Sequence, residues 1–252
     1  MFSSSVVSEA FLFSLLLKER KNMNSKNKIS DQTKKLCGMA MFAALAFVLS
    51  LATAGIKIAF LTIDIKDAIL AIGAFIYGPI SALPICVVTA LLSSVITGFE
   101  TGFWGLAMDF LSSIIFSMTA ALIYKYKRTM TGAVVGLFVA VLTYTVMMIP
   151  LNLIITPIYT GQPIEAVAGL LIPLLIPFNF AKSVLNAAVV MMLYKPIVTA
   201  LRATKLVRGD TRSTKIGKTT VVILAIALVT LLVAIVVFIV TENSLPPYLK
   251  NM

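Results

Sequence analysis

The chain has 252 residues, 60% of them apolar, and a mean hydropathy of +1.02, far above that of a water-soluble domain. Its net charge of +11 would suit nucleic acid, but most of the 21 basic residues fall in three clusters between apolar stretches, the pattern of cytoplasmic loops in a membrane protein. Histidine is absent, which excludes Ser-His-Asp and Cys-His catalysis and removes the commonest metal ligand. Cys37 and Cys86 lie in or beside apolar stretches and read as small buried hydrophobes rather than a disulfide framework.

Residues 1–35 form a basic segment, with Lys18, Arg20, Lys21, Lys26, Lys28, Lys34 and Lys35. Its apolar run from Phe11 to Leu17 is too short to span and has no basic region ahead of it, so it is a poor signal peptide. A start at Met23 would give a polar, basic beginning. Span one is expected at about 36–56, followed by a loop from Lys57 to Lys66. Residues 67–97 are apolar but too long for one helix, and Gly78-Pro79 divides them, since proline disfavours the helical conformation of the residue before it. This predicts a short span two at about 67–77, which tilts or reaches only partway, and span three at about 79–97. Span four is expected at about 104–124, span five at 131–156 and span six at 167–194. A basic linker, 201–218, leads to a seventh apolar run at 219–240 and a short tail to 252. Gly217-Lys218-Thr219 is not a nucleotide site, because Arg212 stands where a phosphate loop needs its first glycine.

With the N-terminus in the cytoplasm, the basic clusters after spans four and six also fall inside. The loops with Glu100 and Glu165, and the tail after span seven, fall outside. The six-span unit, 36–200, should be complete in itself, so loss of 205–252 is expected to leave its binding capacity intact.

Four constellations have chemical potential. Lys182 stands near the middle of span six, where a lysine costs about 2.5–3.5 kcal/mol. Asn179 shares its helix face at i, i+3, so both should face a polar object inside the protein, although Lys182 could instead pair with Asp64, Asp67 or Asp109. Asp64 and Asp67 stand at the start of span two; Asp67 reads as a helix cap, and Asp64 as the freer group. Asn152, between Pro150 and Pro157, offers a donor and an acceptor where proline frees backbone carbonyls. Asp109 lies one turn inside span four, beyond the interfacial aromatics Phe103 and Trp104.

Phe60-Leu61-Thr62-Ile63-Asp64 with Asp67, Phe75-Ile76-Tyr77-Gly78-Pro79, Asn152 before Pro157-Ile158-Tyr159, and Ile176-Pro177-Phe178-Asn179 with Lys182 occur in consistent order over about 36–200. Together they resemble the riboflavin-specific substrate-binding subunit, or S component, of energy-coupling factor (ECF) transporters. The resemblance implies an all-α integral membrane protein, a six-helix bundle to which this chain adds a C-terminal transmembrane helix. It implies riboflavin as transported ligand, bound near the extracellular side, with no cofactor and no metal. It also implies partners: a transmembrane coupling protein and two cytoplasmic ATPases, with membrane lipid around the bundle. Asp64, Asn152, Asn179 and Lys182 are then the substrate-binding residues. Ala40 and Ala44, small residues four apart in the first helix, are the partner-docking residues, because they permit close helix approach. Two positions depart from the family's pattern: Lys66, where a small polar residue is commoner, and Asp109, where an amide is commoner. The same fold serving another vitamin or FMN is the nearest alternative. A lipid-modifying membrane enzyme using Asp64 and Asp67 is a more distant one.

Overall fold

The structure is a computed structural model that describes residues 31–58, 61–96 and 102–203, and near the C-terminus 225, 229, 232, 233 and 235–240. The chain divides into two compact units, 1–38 and 39–252. Within the first, 31–38 is described, and it is helical. The run Phe11–Leu17, the start at Met23 and the linker 204–218 lie outside the described residues.

Helix α1 is Asp31–Thr53. The expected loop after it contains a small antiparallel hairpin, β1 (Lys57–Ile58) and β2 (Leu61–Thr62), which pairs Lys57 with Thr62 and Ile58 with Leu61. Helix α2, Lys66–Tyr77, has only 12 residues and is about 18 Å long at 1.5 Å per residue, short of a bilayer core. Every residue from Lys66 to Phe75 is buried, so this helix runs inside the bundle rather than against lipid. Its run of Ala, Ile, Leu and Gly suits that position, because small and branched side chains pack closely on all sides. The break at Gly78-Pro79 occurs as the sequence predicts. Gly78 adopts φ 97°, a conformation that suits glycine, and Pro79 opens a 3-10 turn, Pro79–Ser81, that leads into α3, Ala82–Ile96.

Helix α4, Gly102–Tyr126, packs along α5, Met130–Thr160. Gly136 makes that contact possible: a Cβ there would stand 2.7 Å from the Ala120 carbonyl oxygen. The Thr129 hydroxyl accepts a hydrogen bond from Gly132 N at 3.1 Å and caps α5. The final stretch is segmented into α6 (Ile164–Gly169), a π-helical turn at Leu171–Leu175 and α7 (Ile176–Ala203). Pro173 and Pro177 have no N–H to donate, and the chain shifts to an i to i−5 bond, Leu175 N to Leu170 O at 3.0 Å.

Among the described residues, four helices are long and apolar enough to cross a membrane: α1, α4, α5 and the run Leu171–Ala200. Phe138, Val146, Ile154 and Ile172 are exposed on the outside of the bundle, as expected where the solvent is lipid. The protein is an all-α integral membrane protein. Of the expected seventh span, 235–240 is helical, and much of the remainder lies outside the described residues. Of the two cysteines, Cys86 is buried as expected, but Cys37 is exposed.

Candidate ligand-binding site

A cavity of about 150 Å³ lies among β2, α4, α5 and α7, and Asp64, Asn152, Asn179 and Lys182 all line it. The four residues come from three separate stretches of chain, and each is at least nine-tenths buried. On α5 the lining follows a single face, Tyr144, Met148 and Asn152, at i, i+4 and i+8. Gly105, Met108, Asp109 and Ser112 do the same on α4, while Leu61, Thr62, Tyr159 and Phe178 complete the wall. The result is a cavity of mixed lining, in which buried charged and amide groups stand beside Leu61, Met108, Met148 and Phe178.

Lys182 finds a partner. Its Nζ donates to Asp64 Oδ2 at 3.2 Å, and Lys66 Nζ donates to the same oxygen, also at 3.2 Å. Lys66 further pairs with Asp109 Oδ1. Lys66 and Asp109 therefore compensate each other's charge as one ion pair. Asp64 is not the free loop acid expected from sequence: it is 5% exposed and held by two lysines. Burial alone would raise its pKa, but Lys182 and then Lys66 outweigh burial and hold it below the usual carboxylate range. Asp64 Oδ1, by contrast, has no hydrogen-bond partner among the described residues.

Asp67 does not cap α2. Residue 65 occupies the cap position, and Asp67 Oδ1 instead accepts a hydrogen bond from Ser113 Oγ on α4 at 2.6 Å. A buried carboxylate on an internal helix needs a donor from a neighbour, and α4 supplies it.

The two asparagines each commit one amide N–H to their own helix. Asn152 Nδ2 donates to Met148 O at 2.7 Å, and its Oδ1 accepts from Thr156 Oγ1 at 3.1 Å. Asn179 Nδ2 donates to Leu175 O at 2.7 Å, inside the π-helical turn. These bonds fix the orientation of both amides at the cavity wall, and the second hydrogen of each Nδ2 stays available.

Asn186 was not anticipated. Its Nδ2 donates to Asp64 O and to Lys182 O, each at 3.0 Å, and its Oδ1 accepts from Ala68 N at 2.8 Å. One side chain thus ties the loop bearing Asp64 and the start of α2 to α7. The face that carries Asn179 and Lys182 reaches Asn186 one turn further on, so helical periodicity held the signal. Lys66 and Tyr144 were missed as well, although Tyr144 lies two turns from Asn152 on the same face.

On α1, Ala40 and Ala44 are exposed on one face, while Phe42, Ala43 and Ala46 pack into the core. The small-residue pair therefore lies on a side of the helix that the bundle does not use.

The chain as a whole is similar to known proteins. The chain is 27% identical over 190 residues to the "Riboflavin transporter RibU" of Staphylococcus aureus (strain TCH60), a match covering 71% of this chain and 99% of that protein. It also superimposes on a solved chain described as "Structure and mechanism of the S component of a bacterial ECF transporter", with a TM-score of 0.58 and 28% identity, covering 68% of this chain and 99% of the other. Residues 34–194, more than half of the chain, match the family "ECF transporter, substrate-specific component". The chain belongs to this family of substrate-specific components of ECF transporters, and is a membrane transport subunit rather than an enzyme.

Proposed function

We propose that this chain binds riboflavin on the extracellular side of the membrane and serves as the specificity subunit for its uptake. A transmembrane coupling protein and two cytoplasmic ATPases would supply the energy. The observation that carries the reading is the convergence of Asp64, Asn152, Asn179 and Lys182 on one cavity. It is supported by the similarity to a protein named as a riboflavin transporter.

Isoalloxazine is a flat ring system with carbonyls and ring nitrogens along one edge. In this reading Lys182 and Asn179 donate to its carbonyls, Asn152 pairs with the pyrimidine edge, and Phe178 and Tyr144 offer apolar faces. Asp64 Oδ1, the oxygen without a partner, accepts from a ribityl hydroxyl. Lys182 then divides its three donors between Asp64 and the ligand, so its charge stays balanced whether the cavity is full or empty. The same balance disfavours FMN: Lys66 and Lys182 are already engaged by Asp64 and Asp109, which leaves neither as an uncompensated cation for a phosphate. Ala40 and Ala44 form the docking stripe for the coupling protein. The N-terminus is cytoplasmic, following the basic clusters.

Protein purified from riboflavin-supplied cells should be yellow, carry close to one flavin per chain by mass spectrometry, and quench riboflavin fluorescence on titration, with FMN weaker. Colourless protein that leaves riboflavin fluorescence unchanged would refute the reading.

A further inference from the structure

Beyond the residues that match the family, the helical segment 235–240 has two unlike sides. Val236, Ile239 and Val240 are each more than half exposed, but Phe238 is 8% exposed. The Phe238 ring rests on that of Phe178, with centroids 5.6 Å apart and planes at 64°, an edge-on aromatic contact. Phe238, Phe178, Leu174 and Ala181 form one buried cluster, against which Leu61, Ile63 and Val237 also pack. Two members of this group, Phe178 and Leu61, are walls of the ligand cavity. Phe178 directly precedes Asn179, and Leu61 lies three residues before Asp64. The cluster therefore backs both stretches of chain that present those polar groups to the cavity.

We infer that Phe238 is a positioning residue for the ligand cavity: the C-terminal segment holds Phe178 and β2 in place and so slows escape of the ligand. The inference rests on the riboflavin reading for the identity of the ligand, while the packing argument stands without it. Loss of the ring should loosen the wall without unfolding the bundle, because lipid acyl chains replace the lost apolar contact on that side. By sequence, the C-terminal segment lies outside the six-span unit and is expected to be dispensable for binding. The contact assigns it a kinetic role instead.

The test compares the full-length wild type, Phe238→Ala, Phe238→Leu and Ile239→Ala, the last truncating an exposed side chain on the same turn. Two quantities are read: the riboflavin dissociation rate, by fluorescence after displacement, and backbone hydrogen exchange over residues 61–63 in ligand-free protein. Phe238→Ala should raise the dissociation rate about three- to tenfold, in line with the loss of one aromatic pair, and should speed exchange in β2. Phe238→Leu should restore most of both, and Ile239→Ala should change neither. Wild-type values of both quantities in Phe238→Ala, or an equal effect of Ile239→Ala, would overturn the inference. A wild type that binds no riboflavin would defeat the functional reading, and the exchange comparison would then decide the role of Phe238 by itself.

Discussion

Replacing Lys182 with alanine removes one of the two ammonium groups on Asp64 Oδ2 and leaves the other, Lys66, in place. The protein should therefore still fold, because Asp64 is not left as a buried charge without a partner. Riboflavin binding should weaken by roughly 1.5–3 kcal/mol, the range for a hydrogen bond to a charged group, as read by fluorescence titration. Unchanged affinity in a folded variant would assign Lys182 to structure alone. The Lys66–Asp109 pair makes a second prediction. Asp109→Asn leaves Lys66 with less compensation and should destabilise by about 1–3 kcal/mol. Adding Lys66→Ser should recover part of that loss, and the non-additive part should be about 0.5–3 kcal/mol in a thermal-unfolding cycle. Strict additivity would mean that the pair is not coupled. Both residues were visible in the sequence as departures from a pattern. Their pairing was not, because they are 43 residues apart and meet only through the packing of α2 on α4.

At the scale of elements, the break between α2 and α3 was legible because glycine and proline impose it locally. The short length of α2 was equally legible, but its position inside the bundle depended on which helices surround it. The π-helical turn illustrates the boundary. Pro173 and Pro177 signal missing donors, yet only the folded chain shows that the bonding shifts by one residue just ahead of Asn179, which lines the cavity. Close helix contact gives this scale its prediction. Gly136→Val places a branched side chain where even a Cβ meets the Ala120 carbonyl at 2.7 Å, so α5 must move away from α4. The expected loss is about 1–3 kcal/mol of stability, with a lower unfolding temperature in detergent. Phe138→Ala, on the exposed face of the same helix, should cost much less. Equal effects of the two variants would show that the α4–α5 contact is not tight.

For the whole molecule, the bundle and its C-terminal addition should make separable contributions. Removing 205–252 should leave a folded bundle that still binds riboflavin, because Asp64, Asn152, Asn179 and Lys182 all lie before the cut. The truncated protein should release its ligand faster, by about the factor seen for Phe238→Ala, as measured by dissociation kinetics. Loss of binding in a folded truncation would show that the segment helps to form the cavity rather than to support one wall.

Membrane class, the order of the apolar elements, the break at Gly78-Pro79 and the exceptional character of Lys182 were determined by sequence alone. Hydropathy, charge and proline act on the residues around them, and their effects add along the chain. Only the tertiary structure decided that Lys182 meets Asp64, 118 residues away, that Asn186 ties that loop to α7, and that Phe238 backs the cavity wall. Such contacts depend on the rotation and depth of helices relative to one another, which shape complementarity sets across the bundle and no local stretch of sequence encodes.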